Sequence, residues 1–255
     1  ALNRLGRTVL EFQHAKIAAG DKELIGELTW NVGPGDRFGI VGVNGAGKTT
    51  LVMHLNGILA AGLGTVHVGG LAVNTEDKDA LREIRRRVGI VFQDPDDQLF
   101  MPTVREDVAF GPINMGVTGA ELEAQVMQAL ELVGMADYAD RPPHHLSFGQ
   151  RRRVAVATVL AMKPEILVLD EPSSNLDPAS RRELADILRD LDITLLMVTH
   201  DLPYALELCS RSVILSQGTI VADGKTIDIL CNDSLMAENR LELPFGFDPK
   251  NTLVK

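Results

Sequence analysis

Residues 37–55, "RFGIVGVNGAGKTTLVMHL", give the clearest indication of which fold this chain adopts. The first five of these residues predict a buried strand, and Leu51, Val52 and Leu55 follow at helical spacing. Between them, "GVNGAGKT" matches the pattern G-x-x-x-x-G-K-[ST] of a phosphate-binding loop, in the strand-before and helix-after context that the pattern requires. We therefore expect an α/β fold with a nucleotide site at the end of this strand, and a helix that continues until Gly62 stops it.

The loop supplies groups suited to a nucleoside triphosphate with Mg²⁺. Glycines allow backbone N–H groups to approach phosphate oxygens closely. Lys48 is expected to reach the β- and γ-phosphates, and Thr49 to ligate Mg²⁺. The loop residues predicted to bind nucleotide are Gly42, Asn44, Gly45, Ala46, Gly47, Lys48, Thr49 and Thr50.

A second motif, "ILVLDEP" at residues 166–172, places two carboxylates at the end of an apolar strand. Asp170 is expected to hold Mg²⁺, directly or through water, and Glu171 to orient and deprotonate the attacking water. Adjacent carboxylates at a strand end can also be plain surface charge. Because they follow a phosphate loop in the same chain, the two motifs together predict a P-loop nucleotidase.

Composition limits the function classes. The chain has 255 residues and a net charge of −10, which does not favour nonspecific binding to nucleic acid. Cys209 and Cys231 are too few for a disulfide framework and fit a reducing compartment. No uninterrupted apolar run is long enough to span a membrane, and the first thirty residues lack the layout of a signal peptide. We expect a soluble chain that meets a membrane only through partners.

The remaining pattern predicts a mixed β core with a helical subdomain. "VGIVFQ", "EILVLDEP" and "ITLLMVTH" are short apolar runs typical of buried parallel strands, and "TVLEF" at residues 8–12 is another strand. Helical periodicity covers Glu121–Val133, with Gly134 as a cap, and a further helix begins at Ser147. The triplets at residues 85–87 and 151–153 are interpreted as solvated arginine faces, with acidic partner contacts as the alternative.

These segments suggest a division of the chain. We expect one nucleotide-binding domain over residues 1–232, in which the helical subdomain covers about residues 95–162, followed by a C-terminal tail over residues 233–255. The tail is weakly patterned, and "LPFGFDP" within it is typical of turn or coil.

The helix that begins in "HHLSFGQRRRVAVATVLA", residues 144–161, is a second anion site, because a helix start presents free N–H groups and a favourable dipole. "LSFGQ", placed shortly before "LVLDEP", resembles the signature sequence of ATP-binding cassette (ABC) ATPases. The resemblance continues in the family's order with "VFQDP", "SSNLD" and "MVTHD". It implies an ABC-type P-loop fold that binds and hydrolyses ATP with Mg²⁺.

The resemblance also implies roles for residues outside the first two motifs. Gln93 would sense Mg²⁺ as a ligand and touch the membrane partner, Asp177 would belong to the loop at the dimer interface, and His200 would contact the γ-phosphate. In the family, two chains pack head to tail, and each ATP lies between one phosphate loop and the other chain's signature helix. The signature residues that would bind the partner chain's ATP are Ser147, Gly149 and Gln150.

Two positions depart from the family pattern. Phe148 replaces the first glycine of the usual signature, while Gly149, where the backbone comes closest to phosphate, is kept. Ala19 occupies the place at which the family normally has an aromatic residue that stacks on adenine. Base stacking on an aromatic ring typically contributes about 1–3 kcal/mol. We therefore expect weak discrimination between adenine and other bases.

The stretch "VGIVFQDPDDQLFMPTVREDVAFGPINMG" looks like the ATPase of energy-coupling-factor importers, especially the cobalt and nickel group. In that group the segment after Gln93, through Phe100, forms the groove for a helix of the transmembrane subunit. This resemblance implies a cytoplasmic ATPase on the inner face of the cell membrane, working as a homodimer or with a sister ATPase; a vitamin is the alternative substrate. The segment before the phosphate loop is more similar to soluble ABC proteins that act on the ribosome, which is the competing interpretation.

Overall fold

The structure, a computed structural model, describes residues 9–19, 22–59 and 63–252. Its strands are β1 (Leu10–Ala19), β2 (Lys22–Val32), β3 (Arg37–Val41), β4 (Leu63–Val68), β5 (Leu71–Ala72), β6 (Val88–Val91), β7 (Ile166–Asp170), β8 (Thr194–Thr199), β9 (Arg211–Ser216) and β10 (Thr219–Lys225). Its helices are α1 (Lys48–Leu55), α2 (Lys78–Arg87), α3 (Val104–Asn114), α4 (Gly119–Leu132), α5 (Phe148–Leu160), α6 (Pro178–Asp190), α7 (Leu202–Leu208), α8 (Thr226–Leu230), α9 (Asp233–Glu238) and α10 (Pro249–Thr252).

A six-stranded sheet with the order β10-β9-β3-β8-β7-β6 forms the centre of the molecule. All neighbouring pairs from β9 to β6 are parallel, and β10 pairs antiparallel with β9. Every residue of β7 and β8 is buried, as their continuous apolar sequence predicts for strands covered on both faces. The phosphate loop follows β3 and the carboxylate pair follows β7, so both motifs lie at the carboxyl edge of one sheet.

A second, four-stranded sheet with the order β2-β1-β4-β5 packs against the first. Its pairs are all antiparallel. Phe12 and Trp30 stack with their ring centroids 5.5 Å apart, and Trp30 lies 4.6 Å from the ring of Phe38 on β3. This aromatic cluster joins the two sheets and belongs to the same apolar core as the inner face of α1.

The helices α3, α4 and α5 form the helical subdomain on the other side of the central sheet. Two of them begin with reciprocal capping boxes, Thr103 with Glu106 on α3 and Ser147 with Gln150 on α5. Such boxes satisfy two free N–H groups at a helix start and so fix where the helix begins. The start of α5, the expected signature helix, is therefore well defined.

Residues 226–252, which follow β10, pack onto the sheet rather than extending away from it. Met236 and Leu241 are buried in one cluster with Val41 and Leu202. Residues 241–248 form coil and turn, as the sequence predicts. This part of the chain therefore lies beside the end of β3, close to the phosphate loop.

Two expectations about element length are wrong. The helix after the phosphate loop ends at Leu55 rather than near Gly62, because Gly57 takes a positive φ of 67° and the N–H groups of Ile58 and Leu59 both turn back to the carbonyl of Met53. The first strand is also longer than residues 8–12 and runs on to Ala19. Within the described ranges, no helix has the length and apolar character needed to cross a bilayer.

Candidate nucleotide-binding site

The phosphate loop makes a tight turn between β3 and α1. Gly45 and Gly47 have φ angles of 83° and 98°, in the left-handed region that favours glycine. Gly42 is required for a different reason, because a Cβ atom there would lie 2.3 Å from the carbonyl oxygen of Leu215 on β9. The glycines thus shape the loop through backbone conformation at two positions and through close packing at a third.

The loop forms one wall of a cavity of about 410 Å³. The structure brings most of the residues predicted for catalysis and nucleotide binding to this one cavity. Its lining consists of Asn44, Gly45, Gly47, Lys48, Thr49, Thr50, Gln93, Glu171 and His200. Gly42 and Ala46 are buried behind the loop, where they support it rather than face the cavity.

Lys48 is held in place by the chain itself. Its Nζ atom donates to the carbonyl oxygens of Gly42 at 2.6 Å and Val43 at 3.2 Å, and lies 3.6 Å from Oε1 of Glu171. Burial lowers the pKa of the Lys48 ammonium, and the neighbouring Glu171 carboxylate opposes that shift. The result is a fixed cation at the end of the phosphate loop.

Asp170 and Thr49 form the part of the site that suits Mg²⁺. Asp170 is 4% exposed and hydrogen-bonds with Thr49, while its Oδ1 atom is buried without a hydrogen-bond partner in the protein. Burial raises the pKa of this carboxyl, and the hydrogen bond with Thr49 opposes the rise. An unpaired carboxylate oxygen beside a hydroxyl fits Mg²⁺, which binds few protein groups and otherwise takes water and phosphate oxygens. Among the described residues, no group of three or more His, Cys, Asp or Glu side chains is arranged to hold a metal ion.

Glu171 is buried beneath the cavity in a strained backbone conformation, with a φ of 46°. Its Oε2 atom accepts hydrogen bonds from the hydroxyl of Thr199 at 3.1 Å and the N–H of His200 at 3.2 Å. Nδ1 of His200 lies 2.9 Å from the same oxygen. These contacts orient the Glu171 carboxylate from several sides. The strain in the backbone of Glu171 is of the kind found at active sites.

The signature residues lie elsewhere. Ser147 caps α5 by accepting from the N–H of Gln150 at 3.2 Å, and the Gln150 side chain accepts from the N–H of Ser147 at 2.9 Å. A Cβ atom at Gly149 would lie 2.4 Å from the hydroxyl oxygen of Ser180, and this O–H group donates to the carboxylate of Asp177 at 2.7 Å. None of these residues lines the 410 Å³ cavity. Asp177 caps α6, so the start of α5 packs directly on the start of α6.

One interpretation from the sequence is wrong, and it hid a residue that contacts the segment carrying Gln93. The arginine triplet at residues 151–153 was expected on a solvated helix face, yet Arg152 has 0% of its surface exposed. Its guanidinium donates to the main-chain carbonyls of Phe92 and Gln93. A triplet of identical charged residues carries no apolar spacing, so periodicity could not single out the buried member. Ala19 ends β1, but its side chain lies outside the described part of the chain.

Comparison with known proteins identifies the family. The family described as "ABC transporter" matches residues 25–174, which include the phosphate loop, Gln93, the start of α5 and the carboxylate pair. The chain belongs to the ABC transporter family.

Similar proteins agree with this assignment and extend it. A Streptomyces coelicolor protein with the provisional name of ABC transporter ATP-binding protein is 72% identical over 91% of this chain and 88% of its own length. The energy-coupling factor transporter ATP-binding protein EcfA of Methanothermobacter thermautotrophicus is 46% identical over 89% of this ABC chain and 73% of its own. The resemblance to energy-coupling-factor ATPases is thereby confirmed.

Solved structures confirm the ABC ATPase fold. cbiO1 from Clostridium perfringens, part of the ABC transporter complex cbiONQ, superposes with a TM-score of 0.82 at 32% identity, covering 93% of this chain and 96% of that one. A dimeric ATP-binding cassette in a post-hydrolysis state with ADP and Pi gives a TM-score of 0.75 at 26% identity, covering 85% and 98%. This ABC protein is an ATPase, the ATP-hydrolysing subunit of a transporter.

Proposed function

We propose that this ABC ATPase drives an energy-coupling-factor importer for cobalt or nickel ions. The resemblance of residues 88–116 to the cobalt and nickel group supports the substrate class, and the similarity to cbiO1 agrees with it. The similar proteins are transporter ATP-binding proteins, which favours an importer over a soluble ATPase that acts on the ribosome. The observation that carries the proposal is a groove that opens beside Gln93.

In the proposed reaction, Lys48 binds the β- and γ-phosphates and Glu171 takes the proton of the attacking water. His200, which contacts Glu171 and also lines the cavity, would hold the γ-phosphate. Thr49, Asp170 and Gln93 would hold Mg²⁺, which neutralises charge on the phosphate oxygens when bound. Fixed charges of this kind stabilise the transition state because they need not reorganise during the reaction.

We further propose that the ATP site is completed by a second ABC ATPase chain. Ser147 and Gly149 form a helix start suited to an anion, yet they do not line the cavity that holds Lys48. A partner chain packed head to tail would bring its own α5 start over this cavity. The fold similarity to a dimeric cassette holding ADP and Pi supports such an arrangement.

The groove has a volume of about 1130 Å³ and lies between α2, α3 and the segment after Gln93. Phe100 is 61% exposed and Phe110 43%, and their rings meet edge to face at 5.0 Å in its wall. Asp107 lies in the same groove at 3% exposure, and its Oδ2 atom has no protein partner. An apolar wall beside an unsatisfied acceptor suits a helix that brings both an apolar face and a hydrogen-bond donor.

We propose that a transmembrane importer subunit supplies this helix and thereby holds the ATPase on the inner face of the membrane. Asp96 and Asp97 of the predicted segment do not line the groove. Instead, Asp96 pairs with Arg151 on α5 at 2.9 Å. The surface that contacts the partner is therefore expected around Phe100 and Phe110 rather than at the acidic turn.

The experiment uses a tagged chain expressed in cells that take up cobalt, nickel or vitamins through such systems. The unaltered chain should co-purify with a transmembrane protein from detergent-solubilised membranes and should support uptake of labelled cobalt or nickel. Phe100→Ser with Phe110→Ser should abolish both, while the purified variant keeps its basal ATPase activity. Phe245→Ser is the matched control, because Phe245 is fully exposed outside the groove. Vitamin uptake without metal uptake would contradict the substrate, and co-purification that survives the double change would contradict the groove.

A further inference from the structure

Arg152 differs from its two neighbours on α5 in what surrounds it. Arg151 pairs with Asp96 at 2.9 Å and Arg153 pairs with Glu183 at 3.4 Å, and both keep part of their surface in solvent. Arg152 is completely buried and has no carboxylate within 4 Å among the described residues. A buried guanidinium is costly unless its donors are satisfied, so its partners indicate why it is there.

Those partners are two consecutive main-chain carbonyls. Nη1 of Arg152 donates to the oxygen of Phe92 at 2.7 Å, and Nη2 donates to the oxygen of Gln93. Burial lowers the pKa of the guanidinium, and the more distant charges of Asp94 and Asp170 oppose that shift. The planar fork of arginine can hold two acceptors in one fixed arrangement, which a lysine ammonium cannot reproduce. The backbone at Gln93 is thereby clamped to α5.

A second contact ties the same segment to α5 one turn further along. Nε2 of Gln98 donates to the carbonyl of Ala155 at 2.8 Å and to the hydroxyl of Thr158 at 2.7 Å, while its Oε1 accepts from the N–H of Phe92 at 3.3 Å. Residues 92–98 are therefore attached to α5 at both ends. A displacement of this segment must be shared by α5, since packed elements move as units.

We propose that Arg152 is a positioning residue that makes Gln93 and the start of α5 move together. Gln93 lines the cavity proposed for the ATP of its own chain, whereas Ser147 at the start of α5 would face the ATP of the partner chain. Arg152 would therefore link the two ATP sites of a dimer within each chain and connect both to the groove that begins after Gln93. The inference rests on the proposed role of Gln93 and on the shared ATP sites.

A double-mutant cycle on the purified chain tests whether Arg152 acts through Gln93. Arg152→Met removes the donors but fills similar volume, and Arg153→Met is the matched control one residue along the helix. Losing charged hydrogen bonds to the backbone at Gln93 should lower kcat by about ten- to a hundredfold with KM for ATP changed by less than about threefold. In a Gln93→Ala background, Arg152→Met should lower kcat little further, since both changes remove the same function.

Several results would overturn the inference. If kcat of the double variant falls by the product of the two single-variant factors, Arg152 is a merely structural residue. An equal fall in kcat in Arg153→Met would lead to the same conclusion. Unchanged kcat in Arg152→Met would overturn the inference directly. If Gln93→Ala itself has normal kcat and an unchanged Mg²⁺ requirement, the proposed role of Gln93 fails as well. The single Gln93→Ala variant shows this outcome independently of any change at Arg152.

A further variant guards against loss of the fold. Arg152→Lys keeps the charge and can satisfy one carbonyl, so it should fold and recover part of kcat. Thermal unfolding of each variant shows whether it folds. If Arg152→Met fails to fold, the cycle is run with Arg152→Lys, and a fall in kcat by the product of the two single-variant factors would overturn the inference.

Discussion

Nδ1 of His200 lies 2.9 Å from Oε2 of Glu171, at the base of the nucleotide cavity. The other carboxylate oxygen of Glu171 faces Nζ of Lys48 at 3.6 Å. The proposed base is thus positioned between two groups that would both contact the γ-phosphate. These contacts fix the orientation of the Glu171 carboxylate without a bound substrate, as its proposed role as proton acceptor requires.

Glu171→Gln should preserve ATP binding and lower hydrolysis by about 10²–10⁴, the usual contribution of a positioned general base. Glutamine keeps an oxygen that can accept from Thr199 and His200, so the shape of the site should be preserved. Nucleotide binding and steady-state ATPase activity of the purified variant provide the measurement. Near-normal turnover would show that another group removes the proton.

The shared-site proposal predicts complementation between two defective chains. Both carry Glu171→Gln so that ATP is trapped, and one also carries Lys48→Ala while the other carries Ser147→Asp. Aspartate keeps an acceptor that caps α5, yet it brings a negative charge to the γ-phosphate. Neither variant alone should occlude ATP, but the mixture should, because its mixed dimer contains an intact phosphate loop facing an intact α5 start.

Occlusion is measured as nucleotide retained after rapid gel filtration. Dimer formation is measured as an ATP-dependent increase in the fraction of protein that has the mass of a dimer. Each defective chain paired with a chain carrying only Glu171→Gln shows whether one complete site suffices. If those pairs occlude ATP and the mixture of defective chains does not, α5 does not act across the dimer.

The contact between Gly149 and Ser180 predicts a stability defect with a specific rescue. In Gly149→Ala the new methyl group would lie 2.4 Å from the Ser180 hydroxyl, so the α5 start must shift away from α6. Overpacking of this kind typically lowers the free energy of unfolding by about 1–3 kcal/mol. Adding Ser180→Gly should restore part of the loss in denaturant unfolding. Gly224→Ala is the control, because nothing lies near its added Cβ. If Gly224→Ala lowers the free energy of unfolding as much as Gly149→Ala does, the contact with Ser180 is not the cause.

The alanine at position 19 predicts weak base selection. ATP and GTP should bind within about tenfold of each other, and Ala19→Tyr should tighten ATP binding by up to about tenfold, somewhat less than full stacking energy. Equilibrium binding of fluorescent nucleotide analogues, competed with ATP or GTP, measures the ratio of the ATP and GTP affinities and the ratio of the ATP affinities of Ala19→Tyr and the unaltered chain. Tight and adenine-selective binding by the unaltered chain would mean that another residue stacks on the base.

The sequence predicted those parts of the site that depend on neighbouring residues. The phosphate loop requires a strand, glycines and a lysine in one short segment, and Asp170 and Glu171 follow a strand whose burial is evident from its apolar run. Ser147 and Gln150 also form a local pattern, since serine followed three residues later by glutamine is a capping box. Local chemistry of this kind can be read without knowledge of tertiary contacts.

Features that depend on distant contacts could not be predicted in this way. The need for glycine at Gly42 comes from the carbonyl of Leu215, and the burial of Arg152 comes from carbonyls about sixty residues earlier in the chain. The antiparallel sheet that packs on the central one pairs β1 with β4, which is distant in the sequence, so its strand order could not be predicted from local pattern. The end of α1 at Leu55 also involves such a contact, because Gly57 takes a positive φ at a place where a Cβ atom would lie 2.3 Å from Leu81, although the apolar spacing continues past it.

The two carbonyl bonds of Lys48 have a consequence for the thermodynamics of nucleotide binding. A lysine side chain loses up to about 2 kcal/mol of rotamer entropy when it is immobilised. Here that loss is incurred when the protein folds, because Gly42 and Val43 already fix the ammonium group in the cavity. At the proposed site, ATP would therefore meet a preorganised cation, and more of the attraction between phosphate and lysine would remain as net affinity.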